Sequence, residues 1–88
     1  MRILDEWAYE ELRCTAMIMN GRHILKVENN LLEVTYKFRD SQISSLQELK
    51  SKLDEDFYSQ SRQVLKMMNK TRFHLLNDSE EEVFPTII

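Results

Sequence analysis

Cys14 and His23 are the two residue types that together make a thiolate nucleophile and its base, and that chemistry needs their reacting atoms within about 3 Å. Cys14 is the single cysteine and His74 the second of two histidines, a set too sparse and too widely spaced for a zinc site. Asp54, Glu55 and Asp56 put three carboxylates in a row, but consecutive helical residues point in different directions, so the run reads as a solvated helix face. One glycine, Gly21, excludes a glycine-rich phosphate loop. Arg13, Arg22, Lys26 and Lys37 are the cations whose grouping would suit phosphates. Whether any of these groups meet depends on the elements that carry them.

Two turn signals set the strands. Asn20-Gly21 is a strong two-residue hairpin signal, and Asn29-Asn30 offers two residues that tolerate a positive φ. A two-residue loop at the first pairs Met19 with Arg22, Ile18 with His23, Ala16 with Leu25 and Cys14 with Val27. A two-residue loop at the second pairs Glu28 with Leu31, Val27 with Leu32, Leu25 with Val34 and His23 with Tyr36. Side chains alternate along a strand, so the two registers must agree on which face is apolar. They do. Leu12, Cys14, Ala16, Ile18, His23, Leu25, Val27, Leu32, Val34, Tyr36 and Phe38 share one face. The other carries Arg13 across from Glu28, and Lys26 between Thr15 and Glu33. In this meander over 12–38, Cys14 and His23 stand about 13 Å apart along the strands. They do not form a nucleophile and its base. Cys14 reads as a small core residue, and His23 as a ring at the edge of the apolar face.

Helical spacing flanks the meander. Ser45-Leu46-Gln47-Glu48 fits a capping box. After it Leu46, Leu49, Leu53, Phe57, Val64, Met67 and Met68 fall on one stripe at 100° per residue. With no Gly or Pro to interrupt, the spacing predicts one helix over 41–70. Ile3, Leu4, Trp7, Ala8 and Leu12 share a side, which predicts a short helix over 3–11. The fold class is therefore α+β: a three-stranded antiparallel meander with a short N-terminal helix and one long C-terminal helix on one face, in the order α-β-β-β-α. Residues 1–77 form the single domain. Residues 78–88 form an acidic spacer and an apolar tail. A strand of eight residues spans about 26 Å and a helix of thirty about 45 Å, so the long helix outruns the sheet.

At the level of topology this order resembles the double-stranded-RNA-binding domain. The residues depart from it: Asp40-Ser41-Gln42-Ile43-Ser44-Ser45 holds no basic cluster to open the last helix, and Asn20-Gly21 is tighter than that family's first loop. Composition points the same way. Twelve Lys and Arg against 15 Asp and Glu give a net charge of −3, without bulk attraction for nucleic acid or anionic lipid. The longest apolar run, Ala16-Met17-Ile18-Met19, is far short of the ~20 residues that span a bilayer. With no export signal and one unpaired cysteine, a cytoplasmic setting is expected, the nucleus included.

These readings converge on a non-enzymatic interaction module: an adaptor, inhibitor or accessory subunit, with no cofactor and no metal. Its partner is expected to be a protein, either a second copy in a homodimer or the subunits of a larger assembly. The expected contact residues are Met17, Met19 and Ile24 on the outward sheet face, with Leu65, Met67, Met68 and Phe84 at the helix end and tail. The alternative is a nucleic-acid-binding regulator using Arg13, Arg22, Lys26 and Lys37.

Overall fold

A computed structural model describes residues 1–78. It begins with a strand where the spacing predicts a helix. β1 (Arg2–Tyr9) pairs antiparallel with β2 (Leu12–Met19), setting Trp7 opposite Cys14 and Tyr9 opposite Leu12. Trp7 and Tyr9 alternate with the exposed Glu6 and Ala8, a period-2 pattern that the helical spacing of Ile3, Leu4 and Trp7 overlies. Pairing wins because it brings both rings onto the apolar face of β2, where they pack against the core. A register shift between Ile3 and Asp5 breaks the alternation near the start. The β1–β2 turn is Glu10-Glu11, with Glu10 at φ 55°, where a glycine or asparagine is the usual occupant.

β3 (Arg22–Glu28) and β4 (Glu33–Phe38) complete a four-stranded antiparallel sheet in the order β1-β2-β3-β4. The first expected register holds throughout: Met19 opposite Arg22, Ile18 opposite His23, Ala16 opposite Leu25 and Cys14 opposite Val27. Asn20 and Gly21 both take positive φ, as this tight turn requires. The second register is displaced by two residues. Glu28 faces Glu33, Val27 faces Val34, Leu25 faces Tyr36 and His23 faces Phe38. The loop has four residues rather than two because the Asn29 side chain organises it: Oδ1 accepts the N–H groups of Leu31 (3.0 Å) and Leu32 (2.9 Å), while the Asn29 N–H bonds Leu32 O at 3.0 Å. A displacement of two preserves the faces, where one would have inverted them.

The single long helix divides in two. α1 (Leu46–Ser51) starts at Ser45, whose hydroxyl accepts the Glu48 N–H at 3.0 Å. Glu48 Oε1 in turn accepts the N–H of Ser44 at 3.0 Å, a capping box displaced by one residue. α2 (Glu55–Asp78) starts after Asp54, whose Oδ1 accepts the Phe57 N–H at 2.9 Å. Asp54 is thus the N-cap of α2, while α1 has already ended at its C-cap Lys52, without Gly or Pro. The observed order is β-β-β-β-α-α, so the topological resemblance drawn from α-β-β-β-α does not hold.

The architecture is α+β, with the helices covering one face of the sheet. Leu12, Cys14, Ala16, Leu25 and Val27 meet Ile43, Leu49, Tyr58 and Leu65 in the core. Among the described residues no helix is long and apolar enough to cross a membrane.

Candidate functional site

α2 is fixed to the sheet along its first half. Trp7 Nε1 donates to the Tyr58 hydroxyl at 3.1 Å, and Tyr58 stacks on Tyr9 with centroids 3.9 Å apart and planes within 1°. Phe57 packs on Tyr36 at 5.6 Å, and the hydroxyls of Tyr36 and Ser61 are 3.2 Å apart. Arg62 binds the carboxylates of both Glu10 and Glu11. This clamp holds the β1–β2 turn in place of turn chemistry the residues lack. On the other side of Trp7, Lys50 Nζ lies 4.8 Å over the ring and 2.5 Å from Asp5.

These contacts orient the helix. At 100° per residue, Tyr58 and Arg62 lie on the flank that reaches β1, and Phe57 and Ser61 on the flank that reaches β4. Val64 and Met68 continue the β4 flank, and Met67 stands beyond them toward solvent. Leu65 belongs with the inner face and is 3% exposed, so this expected contact residue is core, not surface. Met67 is 63% exposed and Val64 40%, with Met68 half-buried on the inward side of Val64. Gln60 and Gln63 border the same shallow hollow. Further along, Phe73, Leu75 and Leu76 are also exposed. Phe84 lies outside the described residues.

On the outward sheet face, Met17 and Ile24 stand opposite one another but are buried, at 8% and 4% exposed. Both occupy central strands, where long neighbours on each side shield them, so the expected exposed patch reduces to Met19 and Ile3 at its rim. The four cations do not act together. Arg13 stands opposite Glu28, and Lys26 lies 3.4 Å from Glu28 within its own strand rather than across from Glu33. Arg22 and Lys37 share a corner hollow with Met19, Asn20 and Ile24. Two cations at one corner are too small a charge to steer a polyanion.

Cys14 is fully buried, and burial pushes its thiol upward, away from the thiolate a nucleophile needs. His23 is 5% exposed, and its Nδ1 has no partner among the described residues. It faces Phe38 rather than Tyr36 and remains four strand positions from Cys14 by the β2–β3 register. Where α2 meets the 29–32 loop, a hollow of about 380 Å³ is lined by Leu31, Leu32, Arg62, Lys66 and Asn69. Three carboxylates are held below their ordinary values: Asp5 by the Lys50 ammonium, Glu11 by the Arg62 guanidinium, and Glu48 by the Ser44 backbone N–H. Asp5 and Glu11 tie elements together, Glu48 caps its own helix, and none of the three borders the apolar flank of α2.

Sequence reasoning misses the Arg62 clamp and the Trp7–Tyr58–Tyr9 contact, because each joins residues about fifty positions apart. The alternation of Trp7 and Tyr9 was the available signal for the second. Arg62 carries none. No known family model matches the chain, and no curated protein or solved structure matches it either.

Proposed function

We propose that this chain is a non-enzymatic protein-interaction module that associates through the β4-side flank of α2. The observation that carries the reading is the exposed run of Val64, Met67 and the half-buried Met68, continued by Leu75 on the same flank. Apolar surface left in water forgoes about 25 cal/mol per Å², and contiguous patches of this kind are where partners bind. Unbranched, polarisable methionines suit such a surface because they adapt to what they meet. The partner covers the flank by apolar contact, so association responds little to salt.

The test is light scattering after size exclusion on the purified chain at low and high salt, with Met67→Asp beside it. The wild-type chain associates at both salts. Met67→Asp weakens association about tenfold or more while the far-ultraviolet spectrum and unfolding midpoint stay those of the wild type. An unchanged association, or a variant that no longer folds, overturns the reading. Association that collapses steeply between the two salts would instead signal a charged partner.

A further inference from the structure

We propose, building on that reading, that the partner is a second copy of this chain, joined edge to edge by antiparallel pairing of β4 with β4 about a two-fold axis at Thr35. β4 is one edge of the sheet. Among the described residues no hydrogen bond reaches its backbone from outside the sheet. An open edge of this kind is a template for another strand unless something blocks it.

The residues of β4 choose the register. A two-fold at Thr35 sets Glu33 opposite Lys37, Val34 opposite Tyr36 and Thr35 opposite Thr35, with each unlike pair made twice by the symmetry. Glu33 and Lys37 then form two cross-strand ion pairs on the outward face. On the inward face, Val34 and Tyr36 form two β-branched–aromatic pairs. Both kinds of pair are favourable in a sheet, as is the central Thr–Thr pair. Moving the axis to Val34 sets Glu33 against Thr35, and moving it to Tyr36 sets Lys37 against Thr35; either shift separates Glu33 from Lys37. An odd shift sets outward residues against inward ones and is excluded by the pleat.

The charges concerned are uncommitted among the described residues. Glu33 stands opposite Glu28, a like charge, while Glu28 is itself satisfied by Lys26. Lys37 stands opposite Ile24. Neither Glu33 nor Lys37 belongs to an ion pair among the described residues. A strand of six residues is too short to supply by itself the ~1,200–2,000 Å² of a stable interface. The flank of α2 makes up the difference. Because Phe57 and Ser61 tie that side of the helix to Tyr36 of β4, the same axis carries Val64 and Met67 toward their copies. The edge supplies register and the flank supplies apolar area.

The test is charge exchange, read by sedimentation equilibrium up to about 1 mM chain, where even a weak dimer populates. Lys37→Glu alone and Glu33→Lys alone each replace two attractive pairs with two repulsive ones, and each is expected to weaken self-association about tenfold or more. Mixing the two single variants restores it as a heterodimer, since every pair is again unlike. The double variant Glu33→Lys/Lys37→Glu restores it as a homodimer. Both positions are exposed, so the variants fold, which circular dichroism checks. Dimers that are indifferent to the single exchanges but lost in Met67→Asp overturn the edge pairing and keep the flank reading. Dimers lost in the exchanges but retained in Met67→Asp do the reverse. A wild-type chain that stays monomeric overturns both.

Discussion

The two halves of α2 are one continuous helix in two environments. In the first, Tyr58, Ser61 and Leu65 are 7%, 0% and 3% exposed, and each reaches a named partner or the core. In the second, Met67, Phe73 and Leu75 are 63%, 50% and 69% exposed. Leu65 and Leu75 are the same residue type at opposite extremes of exposure, so residue type does not separate the halves. Geometry does. α2 has 24 residues and is about 36 Å long, whereas eight-residue strands span about 26 Å and the helical layer must also place α1 on them. The sheet runs out before the helix does. The first half is what the fold needs, and the apolar residues of the second are surplus to it. That division predicts opposite responses to the same kind of substitution.

The sharpest way to break the comparison is to truncate one leucine and one methionine two positions apart. Leu65→Ala leaves a cavity beneath the helix and is expected to cost about 2–5 kcal/mol. Met67→Ala is expected to shift stability by less than about 0.5 kcal/mol. Urea unfolding of both, with equal slopes, measures the contrast. Equal losses would mean that the second half is part of the cooperative unit, and the two-environment picture would fail.

Much of this contrast is legible in the residues, and the part that is not has physical causes. Asn20-Gly21 dictates its hairpin so strongly that one face of β2 and β3 follows from it without error, and the Ser45 cap sits where its box predicts. That a helix outruns the sheet follows from counting residues, although the helix expected over 41–70 is divided and its second piece runs on to Asp78. β1 is not legible as a strand because Ile3, Leu4, Trp7 and Ala8 satisfy a helical period, a register shift interrupts the strand's alternation, and Glu10-Glu11 has no turn signature. The break at Asp54 is invisible because a side-chain cap leaves the apolar stripe intact across it. At the candidate site, Met67 is exposed because two residues at 100° each carry it round to the side of α2 opposite the buried Leu65, whereas the exposure of Leu75 follows from length. The burial of Leu65 depends on the angle at which α2 meets the sheet, which is set by the distant contacts of Tyr58 and Arg62. Met17 and Ile24 alternate correctly onto the outer face, but alternation does not report how far neighbouring side chains fold over it.

A smaller effect probes what anchors the first half. Tyr58→Phe keeps the ring stacked on Tyr9 and removes the hydroxyl that accepts from Trp7 Nε1. The half-buried indole N–H loses its partner, with an expected cost of about 0.5–1.5 kcal/mol. The change is read as a lowered urea midpoint at unchanged slope. If stability is unaltered, stacking alone holds the helix start, and the hydrogen bond is incidental to the anchoring.

The smallest expected effect is the acid response of three carboxylates, one of which, Glu11, holds the first half of α2 through Arg62. Asp5, Glu11 and Glu48 have folded values lowered from the ordinary 3.8, 4.5 and 4.5. A lowered carboxylate favours the folded state above its unfolded value, and that contribution disappears as pH falls through the folded one. Stability contributed by these groups is therefore complete above about pH 4.5 and lost progressively below it. Glu11 is exposed and Asp5 and Glu48 are half-buried at the surface, so salt screens the effect and it stays modest. Thermal unfolding followed from pH 6 to pH 3 at low salt shows the acid limb. Arg62→Gln, which removes the main cause of the Glu11 shift, makes that limb shallower. Met67→Asp places its new carboxylate on the exposed flank, away from these pairs, and leaves the limb as it is in the wild type. An acid limb of equal depth in Arg62→Gln would mean that the clamp on the β1–β2 turn does not couple that turn to folding, and the anchored half of α2 would then rest on its aromatic contacts alone.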